Sequence, residues 1–179
     1  DTPVTTNLTI EAVPEVTGIE TLGVSESLQY IEKFEEINPS EFRVRIVYSD
    51  GKTYDTSVYG YDSYDNWVRA SIYRSGAVEE GEVEADVPGD YVLRITCGEA
   101  YTDIPFKVVS LENACQGTIT LGEPAKLSMN QGKALYAFQA ENAGKYELEF
   151  NLPVDNIQAL SKAGNRAQVS STSRYGSVL

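Results

Sequence analysis

"FRVRIVYSDGKTYDTSV", residues 42–58, decides the fold. Phe42, Val44, Ile46 and Tyr48 alternate with Arg43, Arg45, Val47 and Ser49. A period of two predicts a strand with one buried face. Asp50-Gly51 follows, a strong hairpin signal, and 53–61 reads as the return strand. The pattern continues outward. "WVRASIYR" (67–74) is a candidate strand ended by Ser75-Gly76, and "VEEGEVEADV" (78–87) another, ended by Pro88-Gly89. "DYVLRITC" (90–97) sets Tyr91, Leu93, Ile95 and Cys97 on one face, and "YTDIPFKVVS" (101–110) does the same with Ile104, Phe106 and Val108. Short strands at regular spacing with turn residues between them predict an all-β, antiparallel β-sandwich.

After "LENACQ" the rhythm restarts. Four further short strands are expected at 117–121, 125–129, 134–140 and 145–150, with Tyr136, Phe138, Tyr146, Leu148 and Phe150 pointing inward. Beyond Pro153 the pattern weakens. The expectation is a second small β-sandwich, incomplete or leaning on the first. One stretch departs from the pattern. "SESLQYIEKFEEINPS" (25–40) places Leu28, Ile31, Phe34 and Ile37 three apart, as one helix face would, with Ser25 or Ser27 to cap it and Pro39 to end it. A loop with Tyr30, Phe34 and Ile37 tucked under the sandwich is the rival reading.

The halves differ in charge. The chain carries −13 over 179 residues. Residues 1–110 hold 21 acidic and 8 basic side chains, whereas residues 111–179 hold 6 of each. The shift marks a boundary near residue 110. It divides the chain into a leading strand or inter-repeat seam (1–15), a first sandwich (16–110) and a second β unit (111–179). The acidic half repels nucleic acid and anionic lipid, leaving basic partners and divalent cations as options. No apolar run reaches the length of a membrane span, so no direct membrane insertion is expected. The polar start "DTPVTTN" is no signal peptide, so export would rest on a leader removed from these residues. Histidine is absent, which excludes Ser-His-Asp and Cys-His catalysis and a histidine-bearing zinc site within the chain. Carboxylate chemistry stays open, but with 27 acidic residues close pairs arise by chance, and no enzyme is expected.

"PGDYVLRIT" (88–96) and "AGKYELEFN" (143–151) share Gly-x-Tyr-x-Leu-x-apolar. A turn followed by an inward tyrosine is the setting of the tyrosine corner, so Tyr91 and Tyr146 are expected to be structural. Cys97 and Cys115 either pair, stapling the connector to the first domain, or stand as two thiols, one of them buried.

Residues 16–110 resemble the bacterial immunoglobulin-like domain of surface proteins. The resemblance is carried by Tyr48 to Gly51, by Pro88 to Tyr91, and by Phe106 to Val108, with "VTGIETL" (16–22) and Tyr30 matching the family's opening strand and following tyrosine. The family's Gly-Glu after that tyrosine is Phe34-Glu35 here, and 59–87 is longer and more acidic than the family pattern. Residues 117–151 are similar to the start of the pre-peptidase C-terminal type of β-sandwich, through Leu121 to Pro124, Tyr136 to Phe138, and Gly144 to Tyr146. Both resemblances imply a secreted or wall-attached bacterial protein with further domains, in which such modules act as spacers, adhesive units or appendages to enzymes. They imply no catalytic signature and no cofactor. The partners implied are a cell-wall or host glycan or a matrix protein. The alternative is a carbohydrate-binding or other accessory module of a larger secreted hydrolase.

Two stretches carry candidate chemistry. In 78–87 the acidic side chains Glu80, Glu82, Glu84 and Asp86 share one face. They read as a solvated edge that blocks sheet-to-sheet pairing, or as a surface for a cation or basic partner. In "YGYDSYDNW" (59–67), Tyr61, Asp62, Tyr64, Asp65, Asn66 and Trp67 form a candidate ligand site, with rings to stack on sugars and polar groups to bond hydroxyls. Asp62, Asp65 and Asn66 could supply some calcium oxygens, but without the regular Asp-x-Asp-x-Asp-Gly spacing. The structural reading puts Tyr59 or Tyr61 and Trp67 into strand and core, and leaves "DSYDN" as an exposed tip with Tyr64 on it.

Overall fold

The inward-facing residues of 42–48, 91–97 and 104–108 all lose their solvent contact, and the fold follows from where they meet. The computed structural model describes residues 12–24, 28–129, 133–142, 144–147, 149, 158–159 and 161. The chain is all-β and divides into two units, Asp1–Val109 and Ser110–Leu179.

In the first unit, β1 (Val16–Leu22), β2 (Leu28–Ile31), β3 (Arg43–Tyr48), β4 (Thr53–Ser57), β5 (Arg69–Arg74), β6 (Gly89–Cys97) and β7 (Ala100–Val109) form two sheets. One sheet has the order β1-β3-β4 and the other β2-β7-β6-β5. Their inner faces contribute to one core, in which Val44, Ile46, Val68, Leu93 and Ile95 have no exposed surface. Phe42 and Tyr48 are buried with Val44 and Ile46, as the alternation requires. Each fully buried aliphatic side chain of this kind contributes about 1.5–3 kcal/mol. The Asp50-Gly51 turn closes the β3–β4 hairpin, with Gly51 N–H donating to the Tyr48 carbonyl at 3.0 Å and Gly51 in the left-handed region at φ 81°.

Three expectations need correction. Among the described residues of 25–40 no α-helix forms: Leu28–Ile31 pairs in parallel with Phe106–Val109 along β7. The open edge of β7 supplies a full set of backbone partners, which a short isolated helix cannot match. Tyr30 packs edge-on against Phe106 at 5.7 Å. Pro39 begins a one-turn 3-10 helix, Pro39–Glu41, capped by the Asn38 side chain, rather than ending a helix. Ser25 and Ser27 lie outside the described residues. The second correction concerns 78–87, which is no strand. It makes a 3-10 turn at Val78–Glu80 and then runs extended beside β5, tied by Val83 N–H to the Ile72 carbonyl at 2.9 Å and by Ser71 Oγ donating to Glu82 at 2.7 Å. Val83 and Ala85 pack on the core, while Glu82, Glu84 and Asp86 stay exposed. Third, of the leading segment 7–15 only 12–15 are described, and they form no strand.

In the second unit, α1 (Leu111–Ala114) is a single turn capped by Ser110. β8 (Thr118–Ile119) and β9 (Ala137–Phe138) pair in parallel. The stretch 125–129 carries no strand, nor do the described residues of 145–150, and Leu148 and Phe150 lie outside the description. Phe138 is exposed, while Tyr136 and Tyr146 are half-buried.

The two echoing tyrosines make the same bond. Tyr91 Oη donates to the Val87 carbonyl at 2.8 Å, and Tyr146 Oη to the Asn142 carbonyl at 2.6 Å, each four residues back. Tyr91 also stacks on Phe106 at 5.4 Å inside the core. Tyr91→Phe keeps the ring and strands the phenol's partner, so urea unfolding should show a loss of about 1 kcal/mol. Tyr91→Ala should lose about 3–5 kcal/mol, because the ring volume goes as well.

Candidate functional site

The segment 59–68 leaves β4 and returns to β5, and its geometry turns on the backbone at Tyr59. That residue sits at φ 64°, a left-handed conformation that a bulky side chain rarely adopts. The alternation of β4 stops there. Val58 goes into the core on one side of the break and Val68 on the other. Gly60 follows with its Cα close against β4. A Cβ there would lie 2.7 Å from Thr56 Oγ1 and 2.9 Å from the Ser57 carbonyl, so only glycine fits. Tyr61 and Trp67 then face each other across an antiparallel bridge.

Asp62 holds the turn between them from inside. It is 5% exposed and is the buried charged residue of the described core. Its Oδ1 accepts from the backbone N–H of Tyr64 and of Asn66, both at 2.8 Å. Its Oδ2 accepts from Asn66 Nδ2 at 2.9 Å, and the Cys97 thiol lies 4.0 Å from the same oxygen. Burial pushes the Asp62 carboxyl upward. The hydrogen bonds from Asn66, the Tyr64 backbone and the Tyr48 hydroxyl outweigh it and hold the group below the usual carboxylate range. Burial, with the Asp62 charge beside it, pushes the Cys97 thiol up to about 11. Tyr48 Oη also sits 3.1 Å from Ser63 Oγ, and its ring meets Tyr64 edge-on at 5.0 Å.

The expected division of this segment is therefore inverted. Asp62 is buried, and Asn66 spends its side chain on Asp62. Tyr64 is half-buried against the core and is no exposed tip ring. Tyr59, Tyr61 and Trp67 are instead 47%, 59% and 46% exposed. Asp65 is exposed at φ 62°. A carboxylate given three protein donors can be buried where a single tip residue cannot, and that satisfied group, rather than an aromatic ring, anchors the turn. Of the six candidates, Tyr61, Asp65 and Trp67 face solvent. Arg69, not among them, belongs with Trp67: its guanidinium lies 5.1 Å from the indole centroid. The signal for it was the two-residue spacing, which puts both on one side of a strand.

Both cysteines are free. Cys97 is buried in the first unit, and Cys115, half-buried in the second, donates to the Gly117 carbonyl at 3.2 Å. Among the described residues no group of three or more cysteine, aspartate or glutamate side chains is placed to hold a metal ion. Among the same residues no helix is long and apolar enough to cross a membrane. The sequence matches no protein-family model and no curated protein.

Two outcomes follow from the buried carboxylate. Its folded-state pKa is depressed, so the stability it adds is complete above the ordinary carboxylate range and is lost as pH falls through the depressed value, below about pH 4. Asp62→Asn faces its new amide against that of Asn66. It should cost about 2 kcal/mol at pH 7, with the gap to the native chain closing in acid-titrated urea melts. In the native protein at pH 8, iodoacetamide should label Cys115 well before Cys97, whose thiol is both buried and held neutral, as read by peptide mass mapping.

Proposed function

We propose that this chain is a non-catalytic, extracellular module of a bacterial surface protein, acting as an adhesive unit or spacer. In this reading its first unit is an immunoglobulin-like sandwich and its second a small β unit of the pre-peptidase C-terminal type. One observation carries the adhesive role. A rigid turn, locked from inside by Asp62, presents Tyr61 and Trp67 to solvent at one margin of a packed sandwich. Rings held outward by buried bonds lose little freedom on binding, which favours recognition.

The immunoglobulin-like assignment is supported by where its motif residues lie. Tyr48 to Gly51 forms the hairpin turn, Pro88 to Tyr91 enters β6 through the tyrosine corner, and Phe106 to Val108 lies in β7. Seven strands in a three-plus-four arrangement agree with it. The same exposed rings favour a second reading, a carbohydrate-binding or other accessory module of a larger secreted hydrolase.

Surface plasmon resonance against immobilised cell-wall glycans, host glycans and matrix proteins tests the adhesive role. The expected result is saturable binding that a Tyr61→Ala, Trp67→Ala double variant loses without a change in melting temperature. Catalytic turnover of any of these ligands by the chain alone would overturn the reading.

A further inference from the structure

The outer face of the four-stranded sheet gathers rings that no single stretch of sequence holds. Trp67 begins an alternation that β5 continues, with Val68 and Ala70 turned to the core and Trp67, Arg69 and Tyr73 turned outward. Arg69 stands opposite Thr96 on β6, and Thr96 opposite Tyr101 on β7. Tyr101 is 58% exposed. Arg94, next to that row, lies 4.1 Å from the Tyr101 ring centroid and 5.8 Å from that of Tyr73. Residues paired directly across antiparallel strands project to the same side, so Tyr61 shares this face with Trp67. Three exposed rings thus turn to one side, Tyr101 from β7 and the bridged pair Tyr61 and Trp67 from the turn that runs into β5. The β5 and β7 positions lie two strand spacings apart, about 10 Å.

The charges of the face select its occupant. Arg94 is held by both oxygens of Asp103 at 2.8 Å, and Lys107 pairs with Asp90 at 3.8 Å. Those pairs cancel locally, and Arg69 beside Trp67 adds one positive charge to the face, in a chain that carries −13 overall. An anionic polymer meets long-range repulsion, and a cationic peptide finds these carboxylates already engaged. What remains is flat aromatic surface flanked by donors and acceptors.

We propose that this face binds a neutral polysaccharide. Tyr61, Trp67 and Tyr101 stack on the apolar faces of its sugar rings, and Arg94 donates to its hydroxyls from the guanidinium hydrogens that Asp103 does not take. The inference rests on the reading of the chain as a non-catalytic adhesive module, and it moves the contact surface from the turn alone to the whole outer face.

Affinity electrophoresis of the full chain in gels containing neutral β-glucan, arabinoxylan or galactomannan tests it, with polygalacturonate and alginate as anionic counterparts. Retardation is expected in at least one neutral gel and in neither anionic gel. Trp67→Ala and Tyr101→Ala should each weaken it at least about fivefold, with Tyr101→Trp retaining it. Thermal melts confirm that each variant is folded. Three results would overturn the proposal: no retardation by any neutral polysaccharide, retardation in anionic gels only, or binding that Tyr101→Ala leaves intact. Self-association through the face, seen as a Trp67-dependent dimer in sedimentation velocity, would overturn it too. Release of sugar products would instead overturn the non-catalytic reading, so the two failures are distinguishable.

Discussion

Val44 and Ile46 of the three-stranded sheet and Leu93 and Ile95 of the four-stranded sheet share a core that excludes solvent from all four. Burying the inner faces of two sheets against each other is the constraint from which the rest of the first unit follows. It fixes register, because a one-residue slip of β3 or β6 would turn every one of these side chains to water. It also creates edges that need management. The β5 edge is covered by the extended segment around Val83, whose outward glutamates keep that flank hydrated. The far edge of β7 is covered by the parallel pairing of Leu28–Ile31. The acidic run and the ambiguous segment thus share one role: each closes a flank of the same sheet.

Asp62 shows how the scaffold supports its surface. Its carboxylate satisfies the backbone of the turn and ties it to the inner layer near Tyr48 and Cys97. The buried polar group gives the excursion between β4 and β5 a defined shape, on which the exposed rings are carried. Tyr61 and Trp67 stand outside because Asp62 stands inside. The outward-facing alternation then runs from Trp67 into β5, which links the turn to the aromatic and arginine side chains of the outer face.

Legibility in the sequence depended on whether a residue's partner was local. The strands at 43–48, 89–97 and 100–109 could be read because burial on one face imposes a period of two on the chain itself. The tyrosine bonds could be read because each spans four residues. Residues 28–31 could not, because Leu28, Ile31, Phe34 and Ile37 repeat at a helical spacing, while the strand that forms packs Leu28 and Tyr30, two apart, on the core. What chose the strand was the open edge of β7, more than seventy positions away. The reading of Trp67 as a core residue fails for a related reason. Two adjacent positions, Trp67 and Val68, can each start an inward series, and the larger residue was the natural choice for the core. The left-handed backbone at Tyr59 and the close approach of Gly60 to Thr56 set the phase the other way.

By itself, then, the sequence determined the all-β class, the phase of the central strands, the Asp50-Gly51 hairpin and a boundary near residue 110. All of these are written in local period, turn chemistry and composition. The tertiary structure alone decided which rings face water, that Asp62 is a buried lock rather than a ligand group, and that Tyr61, Trp67 and Tyr101 share one face. These depend on pairing between strands distant in sequence, and the hydrogen bonds that set such pairing leave no periodicity in the chain.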